Sequence, residues 1–388
     1  MKAVWVCLLG LSAAALLQAQ TAAQWAAQAE QLIRQGDQPG ALRDLAQASK
    51  ARPQSAASED RIGFLLAVLH QSADEAIAHF RKAIALDPSY AAAHFHLGAV
   101  LMIAKQPESG LSELRKAAKL APGVFEYQYK LGSALQTKGD LAGAAKAYGR
   151  AVALKPDNDK LRNQYAYLLI ATRQARRGIE ESKKVLAHQP SNVAALMDIG
   201  YAYLQTGDSD RADKTYRRLL AANPKSAAAH YDLGLALKMK DALAPAKAEL
   251  QTAIRLDPSF AQAYYSLGII DWQDGNFPGA IKQMRAALRI NGKYAQAHYM
   301  LGIVLKQTGD LDDALAQLKE AIRLDPSTPG PYNTIGEILS IQGDKQGSQE
   351  AFAAGARLKH RADAQLAHTL DRGMRGGEIL KPVISAPR

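Results

Sequence analysis

The sequence predicts an all-α solenoid of stacked helix-turn-helix hairpins, on three observations: a 34-residue periodicity, an apolar content made mainly of Ala and Leu, and turn residues recurring at one phase. Gly98, Gly132, Gly200, Gly234, Gly268, Gly302 and Gly336 are separated by 34 or 68 residues. Ala166 fills the gap, Gly63 fits after a one-residue insertion, and Ala29 extends the series. The chain is 48% hydrophobic but only 6% aromatic, a composition suited to closely packed helices and not to strands, which favour β-branched and aromatic residues.

The chain opens with Met1-Lys2, the apolar run Ala3 to Leu17, and Gln18-Ala19-Gln20, the layout of a signal peptide: a positive start, a short apolar core and a small residue at the cleavage position. Residues 1–19 are assigned to this segment, with cleavage after Ala19, which places the protein in the periplasm or outside the cell. The run falls short of the roughly 20 apolar residues of a spanning helix, and an uncleaved N-terminal anchor is the alternative reading. Cys7 lies inside the run and is the only cysteine, so the mature chain is expected to lack disulfides, a thiol nucleophile and Cys-ligated zinc. Loss of Lys2, the only charged side chain there, lowers the formal net charge by one from +11. The remaining excess suits solubility, an acidic partner or an anionic surface.

Within each unit, Leu233-Gly234 and Leu237 are followed by Ala246, Leu250 and Ala253, and then by Leu256-Asp257-Pro258: two apolar helices joined by a turn. Each periodic Gly costs roughly 1 kcal/mol in a helix relative to Ala, so a close helix contact must offset it. The position twelve residues later is also small, at Ala144, Gly178, Ala212, Ala246, Ala280 and Ala314, and the two positions read as one contact. The turn is often Gly-Asp or Gly-Asn, as at Gly36-Asp37, Gly139-Asp140 and Gly275-Asn276, where Gly suits a left-handed helix end and Asp or Asn caps the next helix. Pro closes the unit at Pro53, Pro88, Pro122, Pro156, Pro190, Pro224, Pro258 and Pro326, with Gly292 in its place once.

These residues, with Trp25 at a large-aromatic position, resemble the tetratricopeptide repeat family over residues 22–362. The resemblance implies a right-handed superhelix whose first helices line a concave groove that receives peptides or partner helices. About ten units occupy residues 20–362, starting at Thr21/Ala22, Ala56, Ala91, Phe125, Asp159, Val193, Ala227, Ala261, Ala295 and Pro329. Repeats five and ten depart most, with Arg173 where the turn Gly falls and His360 where the closing Pro falls. Residues 363–388 are expected to form a C-terminal capping helix, Asp363 to Arg372 with Leu366 and Leu370 at helical spacing, ended by Gly373, and then a flexible basic tail.

The mature chain carries no phosphate-cradling Gly-Lys-Ser/Thr loop, no Gly-x-Ser-x-Gly elbow and no His-Glu-x-x-His helix, so no enzymatic activity and no cofactor is expected. His94, His230 and His298 share the fourth position of their units with Trp25, Tyr264 and Tyr332 and are read as packing. Asp157-Asn158-Asp159 lacks the glycine and later Glu of a calcium loop, and His94 and His96 point to different sides of a helix, so no metal is expected. The basic cluster Arg173, Arg176, Arg177, Lys183 and Lys184 is interrupted by Glu180 and Glu181 and reads as a solvated face; no nucleic acid is expected.

The fifth position, expected to face the groove, includes Tyr129 and the ladder Tyr231, Tyr265 and Tyr299. The ninth position carries Leu235, Ile269 and Ile303, and the twelfth Trp272 between Lys238 and Lys306. Aromatic anchors with polar tips suit a protein or peptide partner, although Tyr at position five is also the family's usual residue and is equally an inherited scaffold feature. The apolar ninth position departs from family members that grip acidic C-terminal tails with Asn there. The expected function is a non-enzymatic interaction scaffold in cell-envelope assembly. The alternatives are an attachment module for anionic lipid or wall polymer and an accessory subunit of an enzyme complex. Oligomeric state is left open.

Overall fold

The computed structural model describes residues 22–51, 55–69 and 73–375. The signal segment 1–19 with Cys7, Pro53 and the tail 376–388 lie outside the described residues. All regular structure among the described residues is helical. Cα proximity divides the chain into two compact units, Met1–Ala202 and Tyr203–Arg388.

The first unit contains α1 (22–35), α2 (Gln38–Lys50), α3 (Ala56–Val68), α4 (Ala73–Leu86), α5 (Ala91–Ile103), α6 (Pro107–Leu120), α7 (Phe125–Lys138), α8 (Leu141–Leu154), α9 (Asp159–Ala171), α10 (Ala175–His188) and most of α11 (Val193–Gln205). The second holds α12 (Ser209–Ala222), α13 (Ala227–Met239), α14 (Leu243–Leu256), α15 (Ala261–Gln273), α16 (Phe277–Ile290), α17 (Ala295–Thr308), α18 (Leu311–Leu324), α19 (Pro329–Ile341) and α20 (Lys345–Arg375). Within the first unit α3/α4, α5/α6, α7/α8 and α9/α10, and within the second α13/α14, α15/α16, α17/α18 and α19/α20, pair as hairpins, and consecutive hairpins of this set within a unit pack on one another in a solenoid arrangement.

The turns described inside the hairpins share one backbone geometry. Gly36, Gly139, Gly207, Gly275, Gly309 and Gly343 all have positive φ, and the next residue often caps the second helix, as where Asp140 accepts from Gly143 N at 2.8 Å. The same left-handed geometry persists where Gly is missing: Lys105, Arg173 and Asp241 have φ of 58°, 64° and 58°. The fifth hairpin therefore keeps the turn despite Arg173, at the cost of crowding between its Cβ and the backbone carbonyl.

The periodic glycines lie where the two helices of a hairpin touch. A Cβ on Gly234 would stand 2.9 Å from Leu250 Cγ and 3.3 Å from Ala246 O, and one on Gly132 would stand 2.5 Å from the buried Tyr148 ring. The contact thus involves the small residue twelve positions on, and the groove is filled by the large side chain sixteen positions on, such as Leu114, Tyr148, Leu250, Met284 and Leu318.

The fourth-position residues do more than pack. His94 sets Nδ1 2.5 Å from Glu113 and Nε2 3.0 Å from Pro88 O. Arg162 donates to Glu181 at 2.5 Å and Pro156 O at 2.6 Å, and His230 lies 2.6 Å from Glu249 and 3.2 Å from Pro224 O. His298 repeats the arrangement with Gln317 and Gly292 O at 2.7 and 3.2 Å. One side chain thus ties the carbonyl six residues back to the second helix nineteen residues on, satisfying a turn acceptor that proline or glycine leaves open. Burial raises the Glu113 carboxyl, but hydrogen bonds from Lys116 and His94 outweigh it and hold it below the usual carboxylate range.

The C-terminal expectation needs correction. No separate capping helix begins at Asp363 and no stop occurs at Gly373: α20 runs unbroken from Lys345 to Arg375. His360 stands where earlier units place Pro, so nothing removes the backbone donor or forces the preceding residue out of the helix. Residues 361–367 are exposed, Leu366 at 53%, so the extension does not cover the last hairpin through these side chains.

Candidate interaction faces

The second unit carries seven of the eight groove residues expected from the sequence on its first helices: Tyr231 and Leu235 on α13, Tyr265, Ile269 and Trp272 on α15, and Tyr299 and Ile303 on α17. All seven are half-buried. Each tyrosine spends part of its surface on the start of the next hairpin. Tyr231 packs on Phe260 with ring centroids 4.8 Å apart, Tyr265 on Tyr294 at 5.0 Å, and the Tyr299 hydroxyl sits where Gly330 leaves room. Burial raises the Tyr265 phenol, and the neighbouring Tyr231 and Tyr299 add to it, so the three lie within electrostatic reach. Trp272 donates Nε1–H to Gln307 at 2.5 Å, and Lys306 is paired with Glu337. Lys238 is pushed down by burial, while burial pushes the Asp232 carboxyl up to about 6 against a hydrogen bond from Tyr216.

Tyr129, the eighth residue, lies on α7 in the first unit, 39% exposed, with its ring stacked 5.8 Å from Phe125. Two aromatic side chains there offer more free surface than the ladder: Tyr167 on α9 is 50% exposed and Tyr201 on α11 is 46% exposed. Both occupy the ninth position, read in the sequence only for repeats seven to nine; applying the same register to repeats five and six would have found them. Asn163 Nδ2 donates to Asn192 Oδ1 at 3.1 Å, linking α9 to the segment entering α11. Asp198 lies three residues before Tyr201 on α11, hence on the same side, and burial alone pushes its carboxyl up to about 7.

The fold also assembles a polar relay that the sequence does not announce. Ser49 Oγ lies 3.1 Å from His79 Nε2, and His79 Nδ1 lies 2.5 Å from Glu59 Oε2. His79 and Glu59 are buried at 7% and 5% exposure. The order hydroxyl, imidazole, carboxylate matches a nucleophile relay, but Ser49 sits in the last turn of α2, where the helix engages neighbouring backbone donors, as with Ala51 N on Gln47 O. Within the fold the relay joins α2, α4 and α3.

Family models agree with this architecture. The tetratricopeptide repeat model matches residues 105–159, 164–212, 197–244, 243–295 and 267–329, and a second TPR repeat model matches 71–102. Among solved structures, MamA is 27% identical, with 43% of this chain and 97% of that one covered at a TM-score of 0.40. A tetratricopeptide repeat protein from Parabacteroides merdae is 17% identical over 60% of this chain and 93% of its own, with a TM-score of 0.49. YrrB, described as a TPR protein with an unusual peptide-binding site, is 22% identical over 48% and 97%, with a TM-score of 0.40. No curated protein matches the chain. With the repeat model spanning more than half of its length, on hairpins that recurrently carry the Gly contact and the left-handed turn, the chain belongs to the tetratricopeptide repeat family.

Proposed function

We propose that the protein is a non-enzymatic scaffold that holds a peptide or partner helix against the first-helix face of its hairpins. The observation that carries this reading is the row of exposed tyrosines Tyr129, Tyr167 and Tyr201 on α7, α9 and α11. Each has apolar area to lose on docking and a hydroxyl that still bonds at the rim, the profile of an interface anchor. Asp198 beside Tyr201 has its charge disfavoured by burial, so a basic side chain of the partner would gain most by docking there. In the second unit, the edges of Tyr231, Tyr265 and Tyr299 left over from packing, with Leu235, Ile269, Ile303 and Trp272, form a narrower surface of the same kind.

Selection from a random peptide library against the purified protein tests this. Enriched peptides should lose at least about tenfold in affinity to the double variant Tyr167→Ala/Tyr201→Ala. Peptides whose binding is indifferent to both this variant and Tyr231→Ala/Tyr265→Ala/Tyr299→Ala would reject the face. The signal-like layout of residues 1–19 supports a role in the cell envelope. Fractionation with N-terminal sequencing should find a mature chain starting at Gln20, and a cytoplasmic chain retaining Met1 would refute that placement.

A further inference from the structure

A second surface lies away from the tyrosines, on the side formed by second helices. Between α6 and α8 a cleft of about 730 Å³ opens, with α7 contributing Gln128, Leu131 and Leu135. Its size is that of a peptide or small-ligand site. Arg115 and Lys119 from α6 and Lys146 and Arg150 from α8 line it, and all four are exposed. None takes part in an ion pair among the described residues, although ion pairs are common elsewhere in the unit, as at Lys116–Glu113 and Lys155–Glu126. Both pairs are like charges four residues apart on one helix, a mutually repulsive arrangement that a bound anion would relieve. The acid in the lining, Asp140, is engaged in capping α8 at Gly143 N, 2.8 Å away.

Gln128 lies beneath the cleft. It is fully buried, and its Nε2 donates to Ala118 O at 3.0 Å and Pro122 O at 3.3 Å. These two carbonyls fix the amide orientation, leaving Oε1 buried with no hydrogen-bond donor. The cleft continues past α8, where Lys146 and Arg150 also wall a smaller space of about 360 Å³ with Arg177.

We propose that this cleft docks an acidic, partly apolar peptide segment of a partner protein. Carboxylates meet the four cations, and apolar side chains cover the exposed Pro122, Ala153 and Leu154 of the lining. A peptide fits better than the alternatives: a bare phosphate has no apolar part to set against Pro122, Ala153 and Leu154, and the lining has no aromatic platform for nucleic-acid bases. The site is distinct from the tyrosine face and does not depend on it.

Fluorescence anisotropy with the full chain and a short Glu/Leu peptide, its Gln/Leu counterpart, inorganic phosphate, and phosphatidylcholine vesicles with or without phosphatidylglycerol tests the assignment. The Glu/Leu peptide should bind at least about tenfold more tightly than the Gln/Leu peptide and weaken with salt. Lys146→Glu/Arg150→Glu, two exposed changes with wild-type circular dichroism, should abolish that preference, while Tyr167→Ala/Tyr201→Ala should leave it intact. Equal binding of the two peptides, or a preference that survives charge reversal, would overturn the proposal. Binding of phosphatidylglycerol vesicles or phosphate through Lys146 and Arg150 without binding of the peptide would also overturn it, giving the cleft to a headgroup or a free anion.

Discussion

Gly98 and Gly110 face each other across the third hairpin with their backbones in contact: a Cβ added to either would stand 2.9 Å from the carbonyl oxygen of the other. Backbone cannot swing aside as a side chain can. Gly98→Ala should therefore cost about 2–3 kcal/mol in spite of Ala's better helix propensity. Gly268→Ala, whose Cβ would meet the terminal Cε of Met284 at 2.9 Å, should cost about 1 kcal/mol or less, because Met repacks readily. Urea denaturation of both variants decides, and equal losses would reject a backbone contact at Gly98.

Relief of left-handed strain gives a prediction of opposite sign. Lys105→Gly and Arg173→Gly remove a Cβ from residues held at φ of 58° and 64°, and each should raise stability by up to about 1 kcal/mol after the entropic cost of Gly. Gly139→Ala, at φ of 86°, should lower it by about 1 kcal/mol. Chemical denaturation midpoints at fixed slope provide the readout.

The Ser49–His79–Glu59 relay should matter for folding and not for chemistry. His79→Ala leaves a buried Glu59 without its hydrogen bond and should cost about 2–4 kcal/mol. Ser49→Ala should cost about 1 kcal/mol or less. A fluorophosphonate probe is expected to leave Ser49 unlabelled in mass spectra of the folded protein, and labelling there would reopen the question of catalysis.

Asp198 predicts a pH dependence. Burial raises its folded carboxyl to about 7, so the folded state binds the proton more tightly than the unfolded chain does. Its contribution is fully present below about pH 4 and is lost as pH rises through about 7. Asp198→Asn should match wild type near pH 4 and exceed it by about 1–2 kcal/mol near pH 8. Asp232 acts in the same sense, with its loss centred near pH 6. A variant offset that is the same at both pH values would contradict the burial of Asp198.

Along the exposed part of α20, Leu366→Gln should change stability by no more than about 0.5 kcal/mol, because the side chain is 53% exposed. A loss above about 2 kcal/mol would indicate a capping contact at this residue.

Much of the fold was legible in the residues. The spacing of Gly98, Gly132 and Gly234 marks the helix contact, and the first helices from the second hairpin onward start at the residues where the repeats divide, from Ala56 to Pro329. The end of the array was less legible. Gly373 reads as a stop and His360 as an ordinary substitution, yet a helix continues wherever no proline or cap interrupts its hydrogen bonds, and Gly weakens a helix without ending it.

The interaction faces divide in the same way. Position in a repeat states which side of a helix a residue occupies, so Tyr231, Tyr265 and Tyr299 were assigned to first helices on local grounds. How much of each ring remains free depends on Phe260, Tyr294 and Gly330, which arrive from the next hairpin. The larger free area of Tyr167 and Tyr201 and the orphaned oxygen of Gln128 likewise depend on neighbours distant in sequence. The sequence by itself determined the all-helical repeat, its register and its turns, because these rest on backbone sterics and periodicity within about one unit. Only the tertiary structure decided which aromatic surfaces stay open, which histidines become hydrogen-bonded ties and which cations lack a partner, because burial and pairing are properties of contacts between units.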